Sequence, residues 1–161
     1  MRLCRFALQV VALVLLNAAP AAQLWAQEAP QDNLAARGVR RVVQDASRAL
    51  QVGNAAAFLR LFDRKQFAGY PTLESHVVAL STQSDVASSV QFIEIEQVAS
   101  GYRLRVDWLL QLSVKETPGP LETRREVTEI RVEEEKGKWR IIDLEPVEHF
   151  RPQGAGQGAS R

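Results

Sequence analysis

Between Leu34 and Leu50 apolar residues return every three or four positions. Ala35, Val39, Val42, Val43, Ala46, Ala49 and Leu50 form one stripe; Arg37, Arg40, Arg41, Gln44, Asp45 and Arg48 fill the other side. This is the period of an amphipathic helix with one buried face. Asp32 or Asn33 is placed to cap it, and Gly53 to end it. Asn54 caps a short second helix, whose apolar face is Phe58, Leu59, Leu61 and Phe62. Asp63 to Pro71 reads as irregular, with Phe67 and Tyr70 as plugs. Pro71 then opens a third helix over Thr72–Ser81, with Leu73, Val77 and Leu80 on one side.

Beyond Asp85 the pattern changes. Val86–Val98 is rich in β-branched residues and ends at Ser100-Gly101. Tyr102–Lys115 alternates: Tyr102, Leu104, Val106, Trp108, Leu110, Leu112 and Val114 share one face, and Arg103, Arg105, Asp107, Leu109, Gln111, Ser113 and Lys115 the other. The apolar face packs against the helices, so Asp107 points outward onto a solvated sheet face. Glu122–Glu135 is a third strand, Lys136-Gly137 a hairpin turn, and Lys138–Glu145 a fourth strand ended by Pro146. Helices first and strands afterwards predict an α+β fold, with three N-terminal helices packed on a four-stranded antiparallel sheet.

The N-terminus reads as an address. Arg2 and Arg5 precede an apolar run from Phe6 to Leu16, and small residues follow as far as Ala26. This is a secretory leader over residues 1–26, whose apolar run Phe6–Leu16 reaches only about 16 Å as a helix at about 1.5 Å per residue, short of a bilayer core of about 30 Å. Residues 27–32 are a spacer, 33–150 the folded domain, and 151–161 a flexible tail without core residues. Loss of the leader removes Cys4, the single cysteine, so the mature chain holds neither disulfide nor thiolate. It also removes two arginines and takes the formal charge from +1 to −1. No basic excess points to nucleic acid. The exported product is periplasmic or secreted, with no membrane attachment after cleavage.

Gly53-Asn54-Ala55-Ala56-Ala57-Phe58-Leu59-Arg60-Leu61-Phe62, behind a long first helix, is one half of a familiar pattern. Gly137-Lys138-Trp139-Arg140-Ile141-Ile142-Asp143-Leu144, followed by Pro146 and Phe150, is the other. Over about residues 33–150 the chain resembles the nuclear transport factor 2-like superfamily, also called SnoaL-like or cystatin-like. The resemblance implies a curved sheet wrapped around helices as a cone, an apolar cavity at its open end, and frequent dimers through the sheet. It implies no single activity, since relatives include isomerases, dehydratases, cyclases, transport adaptors and ligand binders.

Candidate chemistry is sparse. Trp108 and Leu110 line the inner face of the second strand. On the third strand Arg124 and Glu126 share the face of Ile130 and Val132, nearer one end, where they either line a cavity mouth or overshoot the helices as a wet pair. On the fourth strand Trp139, Ile141 and Asp143 share one face; if Trp139 lies inside, strict alternation brings Asp143 with it, where it is either a base or a hairpin-end or dimer contact. Tyr70 offers a hydroxyl. His76 and His149 have no ligand-spaced partner, so neither metal nor other cofactor is expected. Asp143, Glu126 and Tyr70 are the catalytic candidates; Tyr70, Trp108, Leu110, Arg124, Glu126 and Trp139 the ligand-binding ones. The resulting expectation is an exported, non-catalytic domain binding a small apolar molecule or a protein partner. Its alternative is a lyase or isomerase using cavity carboxylates for proton transfer. A sealed interior would favour a third role, a structural subunit. Leu109, among small polar residues on the outer face, suggests a weak homodimer through that face.

Overall fold

The computed structural model describes residues 34–115 and 119–153; the expected leader and spacer lie outside them, as does the tail from Gly154. Helix α1 (Leu34–Gln51) buries Val39, Val42, Val43, Ala46, Ala49 and Leu50, the predicted stripe. A paired cap closes it. Gly53 N donates to the Leu50 carbonyl at 3.0 Å, and Asn54 N to the Ala49 carbonyl at 2.9 Å, with Gly53 at a positive φ of 66°. Asn54 then turns to the next helix, α2 (Ala55–Leu59), where its side chain accepts from Ala57 N at 2.9 Å.

The irregular stretch that follows is organised by Asp63. Its carboxylate accepts from Lys65 N at 2.8 Å and Gln66 N at 3.2 Å, which holds the aspartate below its usual pKa. Phe62, Phe67 and Tyr70 are buried as plugs. Helix α3 (Tyr70–Gln83) starts two residues earlier than the sequence predicts, with Pro71 in its first turn. It runs without a loop into strand β1 (Ser84–Val98), followed by β2 (Gly101–Val114), β3 (Glu122–Glu135) and β4 (Lys138–Glu145). The sheet is antiparallel in the order β1-β2-β3-β4. A 3-10 turn, η1 (Val147–Phe150), ends the described chain's regular structure.

The inner face of β2 is as the alternation predicts from Tyr102 to Leu112; Val114, at the strand end, is exposed. Trp108 is fully buried at its centre. Its Nε1–H donates to Ser88 Oγ at 2.9 Å, and Ser88 Oγ lies 2.8 Å from Ser47 Oγ on α1. One hydroxyl on β1 thus joins β2 to the helix layer. The implied apolar cavity is occupied. Phe150 is fully buried, edge-on to Trp108 at 5.1 Å, and 5.6 Å from Phe58.

Strict alternation fails on β4, because a β-bulge interrupts its pairing with β3. Val132 opposes Ile141, but Arg131 opposes Asp143, which leaves Ile142 as the extra residue. Ile141 and Leu144 therefore both reach the core, and Asp143 turns to the outer face. A second bulge sets Ile93 apart on β1, where it is 51% exposed.

Replacing Trp108 with Ala should destabilise the domain by roughly 3–5 kcal/mol, since a large buried ring and a buried hydrogen bond go together. Urea unfolding of the protein checks this. A loss under about 1 kcal/mol would contradict the core position of Trp108.

Candidate functional site

Four of the residues singled out in the sequence are neighbours in the sheet. Across β2 and β3, Trp108 opposes Glu126 and Leu110 opposes Arg124. β4 pairs with β3 only from Glu129 onward, so this part of β3 has no strand beyond it among the described residues. The segment after β4 passes there instead, and the mouth of the inner face lies between it and the sheet.

Arg124 is the central polar group of the mouth, with its side chain only 11% exposed. Its Nε donates to Glu122 at 2.7 Å. Nη1 donates to the carbonyls of His149, at 3.2 Å, and Arg151; Nη2 donates to the Pro152 carbonyl at 3.4 Å. The Arg124 hydrogen bond holds the Glu122 carboxyl below the usual carboxylate range. Glu126 is exposed beside this group. Two interior polar atoms, Thr128 Oγ1 on β3 and His149 Nε2 beside Arg124, have no hydrogen-bond partner among the described residues.

His149 is 3% exposed, and burial, reinforced by the Arg124 charge, pushes its pKa down to about 4. The imidazole is therefore neutral at neutral pH. Sequence reading set His149 aside for want of a ligand-spaced partner. The available signal was Phe150 beside it, a large aromatic in a segment otherwise poor in apolar residues.

The other candidates lie elsewhere. Asp143 is on the outer face, 3.2 Å from Arg131. Expected inside if Trp139 was inside, it is carried outward by the bulge. Tyr70 starts α3, with its ring buried and the Arg64 guanidinium 5.5 Å above it. Trp139 packs edge-on to Tyr102 at 5.6 Å. Tyr102 stands six residues from Trp108 along β2, roughly 20 Å at about 3.3 Å per residue, so Trp139 marks the opposite end of the sheet.

Outside the mouth, concave surface among the described residues includes two open grooves. An open groove of about 350 Å³ on the outer face is lined by Arg103, Glu129, Arg131, Asp143 and Glu145. Another, of about 450 Å³, lies beside Trp139, Arg60, Lys138 and Arg140. On the outer face Asp107 takes a two-pronged hydrogen bond from Arg125, at 2.5 and 3.0 Å, which keeps its pKa below the usual value. That is a structural pair on a wet face, not a general base. Among the described residues no cluster of three or more His, Cys, Asp or Glu is placed to hold a metal ion.

Comparison with known proteins rests on structure. No protein-family model matches the chain, and no curated protein matches it. Solved structures do. A Novosphingobium aromaticivorans protein proposed to be a scytalone dehydratase superposes with a TM-score of 0.62 at 15% identity, over 69% of this chain and 81% of that one. A hexachlorocyclohexane dehydrochlorinase, LinA type 2, gives 0.55 at 14%, over 70% and 84%. A Streptomyces avermitilis protein proposed to be a dehydratase of the nuclear transport factor 2-like family gives 0.58 at 8%, over 69% and 94%. The chain has the nuclear transport factor 2-like fold. At these identities the likeness carries the fold alone, and that fold serves both ligand binding and catalysis.

The neutral, buried His149 has a consequence for stability. Its folded pKa lies below its unfolded value of about 6.5, so the unfolded chain binds the extra proton between the two. Its contribution is fully present above about pH 6.5 and is lost as pH falls toward 4. The depressed carboxylates, Asp63, Asp107 and Glu122, lose theirs only at lower pH, through their own folded pKa values. Wild type should therefore lose about 2–3 kcal/mol between pH 7 and 4.5 that His149→Leu does not lose. Urea midpoints across this range check it; parallel curves for the two proteins would show that His149 is not buried neutral.

Proposed function

We propose that the protein is an exported, non-catalytic binding domain. The observation that carries this reading is the occupied interior: Trp108, Phe58 and Phe150 fill the space where the fold's enzymes would need a reaction chamber. The separation of the catalytic candidates supports it. Asp143 is on the opposite face, Glu126 is exposed, and Tyr70 stands at the head of α3 under Arg64. Proton transfer needs an acid and a base converging on one substrate atom, and these three have no common point. Export rests on the Arg2–Ala26 leader pattern, and no helix among the described residues is long and apolar enough to cross a membrane.

The lyase or isomerase reading keeps one specific support. His149 Nε2 is buried, unpartnered and, at neutral pH, unprotonated, which is the state of a base. The occupied interior also suits a structural subunit. The outer face supports a homodimer: Val127 is 44% exposed and, with half-buried Leu109, adds apolar area between charged pairs.

Native mass spectrometry of the mature protein purified from its own cell envelope tests the reading. The expected result is a mature N-terminus near Ala22 or Gln27, with a small molecule or protein partner retained. Turnover of halogenated or hydroxylated substrates that is abolished by His149→Leu would replace the binding reading with the enzymatic one. The dimer predicts that Leu109→Glu shifts the light-scattering mass toward monomer with little change in melting temperature. Wild type at monomer mass at about 10⁻⁴ M would rule that dimer out.

A further inference from the structure

The described chain beyond β4, as far as Gln153, adds no strand to the sheet, yet it is fastened in three ways. Phe150 is buried between Trp108 and Phe58. Arg124 donates to the carbonyls of His149, Arg151 and Pro152. The Gln153 side chain accepts from Ser84 Oγ at 3.0 Å and donates to the Leu112 carbonyl at 3.3 Å. An aromatic anchor, a row of carbonyls read by a guanidinium and a paired side-chain amide are the features by which a protein holds a peptide ligand. Thr128 Oγ1 on β3 and His149 Nε2 within the segment itself are buried without a hydrogen-bond partner among the described residues. Buried polar groups are rarely left so, and a segment fitted only for packing would have paired or replaced them.

We propose that Val147–Gln153 is a self-ligand, an autoinhibitory strap in the binding end of the inner face, and that lifting it opens a site for an aryl carboxylate. The ring takes the place of Phe150 against Trp108 and Phe58. The carboxylate takes the place of the strap carbonyls on Nη1 and Nη2 of Arg124. Arg124 stays in position when the strap leaves, because Nε remains bound to Glu122 within β3. A carboxylate is a stronger acceptor for that fork than neutral carbonyls, and bidentate geometry suits the two free nitrogens. No strand pairing includes residues 146–153, so the strap lifts without breaking the sheet. The inference rests on the reading of this protein as a binding domain and names what it binds and what keeps it closed.

Hydrogen exchange on the intact mature chain tests the strap. The amides of His149 and Arg151 should exchange through a partial opening, at least about 100-fold faster than the central amides of β2. Exchange of both groups at one common, global rate overturns the proposal. The ligand class is tested with 3-phenylpropionate and benzene, followed by tryptophan fluorescence and NMR. Phe150→Ala should bind 3-phenylpropionate at least about 10-fold more tightly than wild type, and adding Arg124→Gln should remove that gain while benzene binding stays unchanged. Equal responses of the two probes to Arg124→Gln would mean a mere cavity, and the aryl carboxylate site would be wrong. If Phe150→Ala does not fold, exchange in the wild type still decides the strap. Substrate turnover by wild type would refute the binding reading without altering the exchange result, so the two failures are distinguishable.

Discussion

The indole of Trp108 fixes the arrangement of the inner face. It sits on a central strand with no exposed surface, and its single donor must find a partner there. Ser88 on β1 supplies the acceptor, and Ser88 in turn meets Ser47 on α1. This chain of contacts admits one rotation of α1 about its axis, the one that aims Ser47 at the sheet while Val43, Ala46 and Leu50 pack around it. The edge of the same indole receives Phe150. Strand pairing, helix placement and closure of the mouth therefore all pass through one side chain.

Much of this was legible in the sequence, and the failures have a common cause. The period of α1 and the alternation of β2 are local patterns over many residues, and both read correctly. Register between β2 and β3 was not legible from either strand alone; the pairing sets Trp108 opposite Glu126 and Leu110 opposite Arg124. Parity on β4 was not legible, because Ile141-Ile142 gives no sign of which isoleucine is extra; the bulge is set by the partner strand. One unpaired residue was enough to send Asp143 to the other face. The strap was hidden for a different reason. Arg151, Pro152 and Gln153 carry no apolar signal, and the groups that hold them, Arg124, Ser84 and Leu112, are far away in sequence.

On the outer face charge does a different task. Arg103 lies 3.9 Å from Glu96, Arg105 3.6 Å from Glu94, Arg125 2.5 Å from Asp107, and Arg131 3.2 Å from Asp143. Such wet pairs add little stability one by one. Each joins adjacent strands, however, and a slip of one residue would set a charge against the core, so the pairs penalise wrong register. Glu94 and Glu96 also lie on the edge strand β1, where charge discourages pairing with another sheet. Beyond β4, Phe62 makes a parallel bridge to Ile141, so that edge is partly covered by the chain itself.

The two ends of the inner face are closed by different physics, and the difference decides which of them opens. At one end Trp139 lies over Gly38 of α1, so close that a Cβ at Gly38 would stand 2.6 Å from the indole Cδ1. That contact depends on a missing side chain and on tight packing of Trp139 against Tyr102. Close-packed apolar contacts of this kind are lost only when the elements separate. At the other end one aromatic ring is buried, and the remaining fastenings are hydrogen bonds from Arg124 and Gln153. Each is exchanged for a bond to water at a net cost of about 0.5–1.5 kcal/mol. Exchanging them and withdrawing the single Phe150 ring frees a short segment and leaves every strand pair intact. The mouth beside Arg124 is therefore the end at which the interior is reached with the rest of the fold in place.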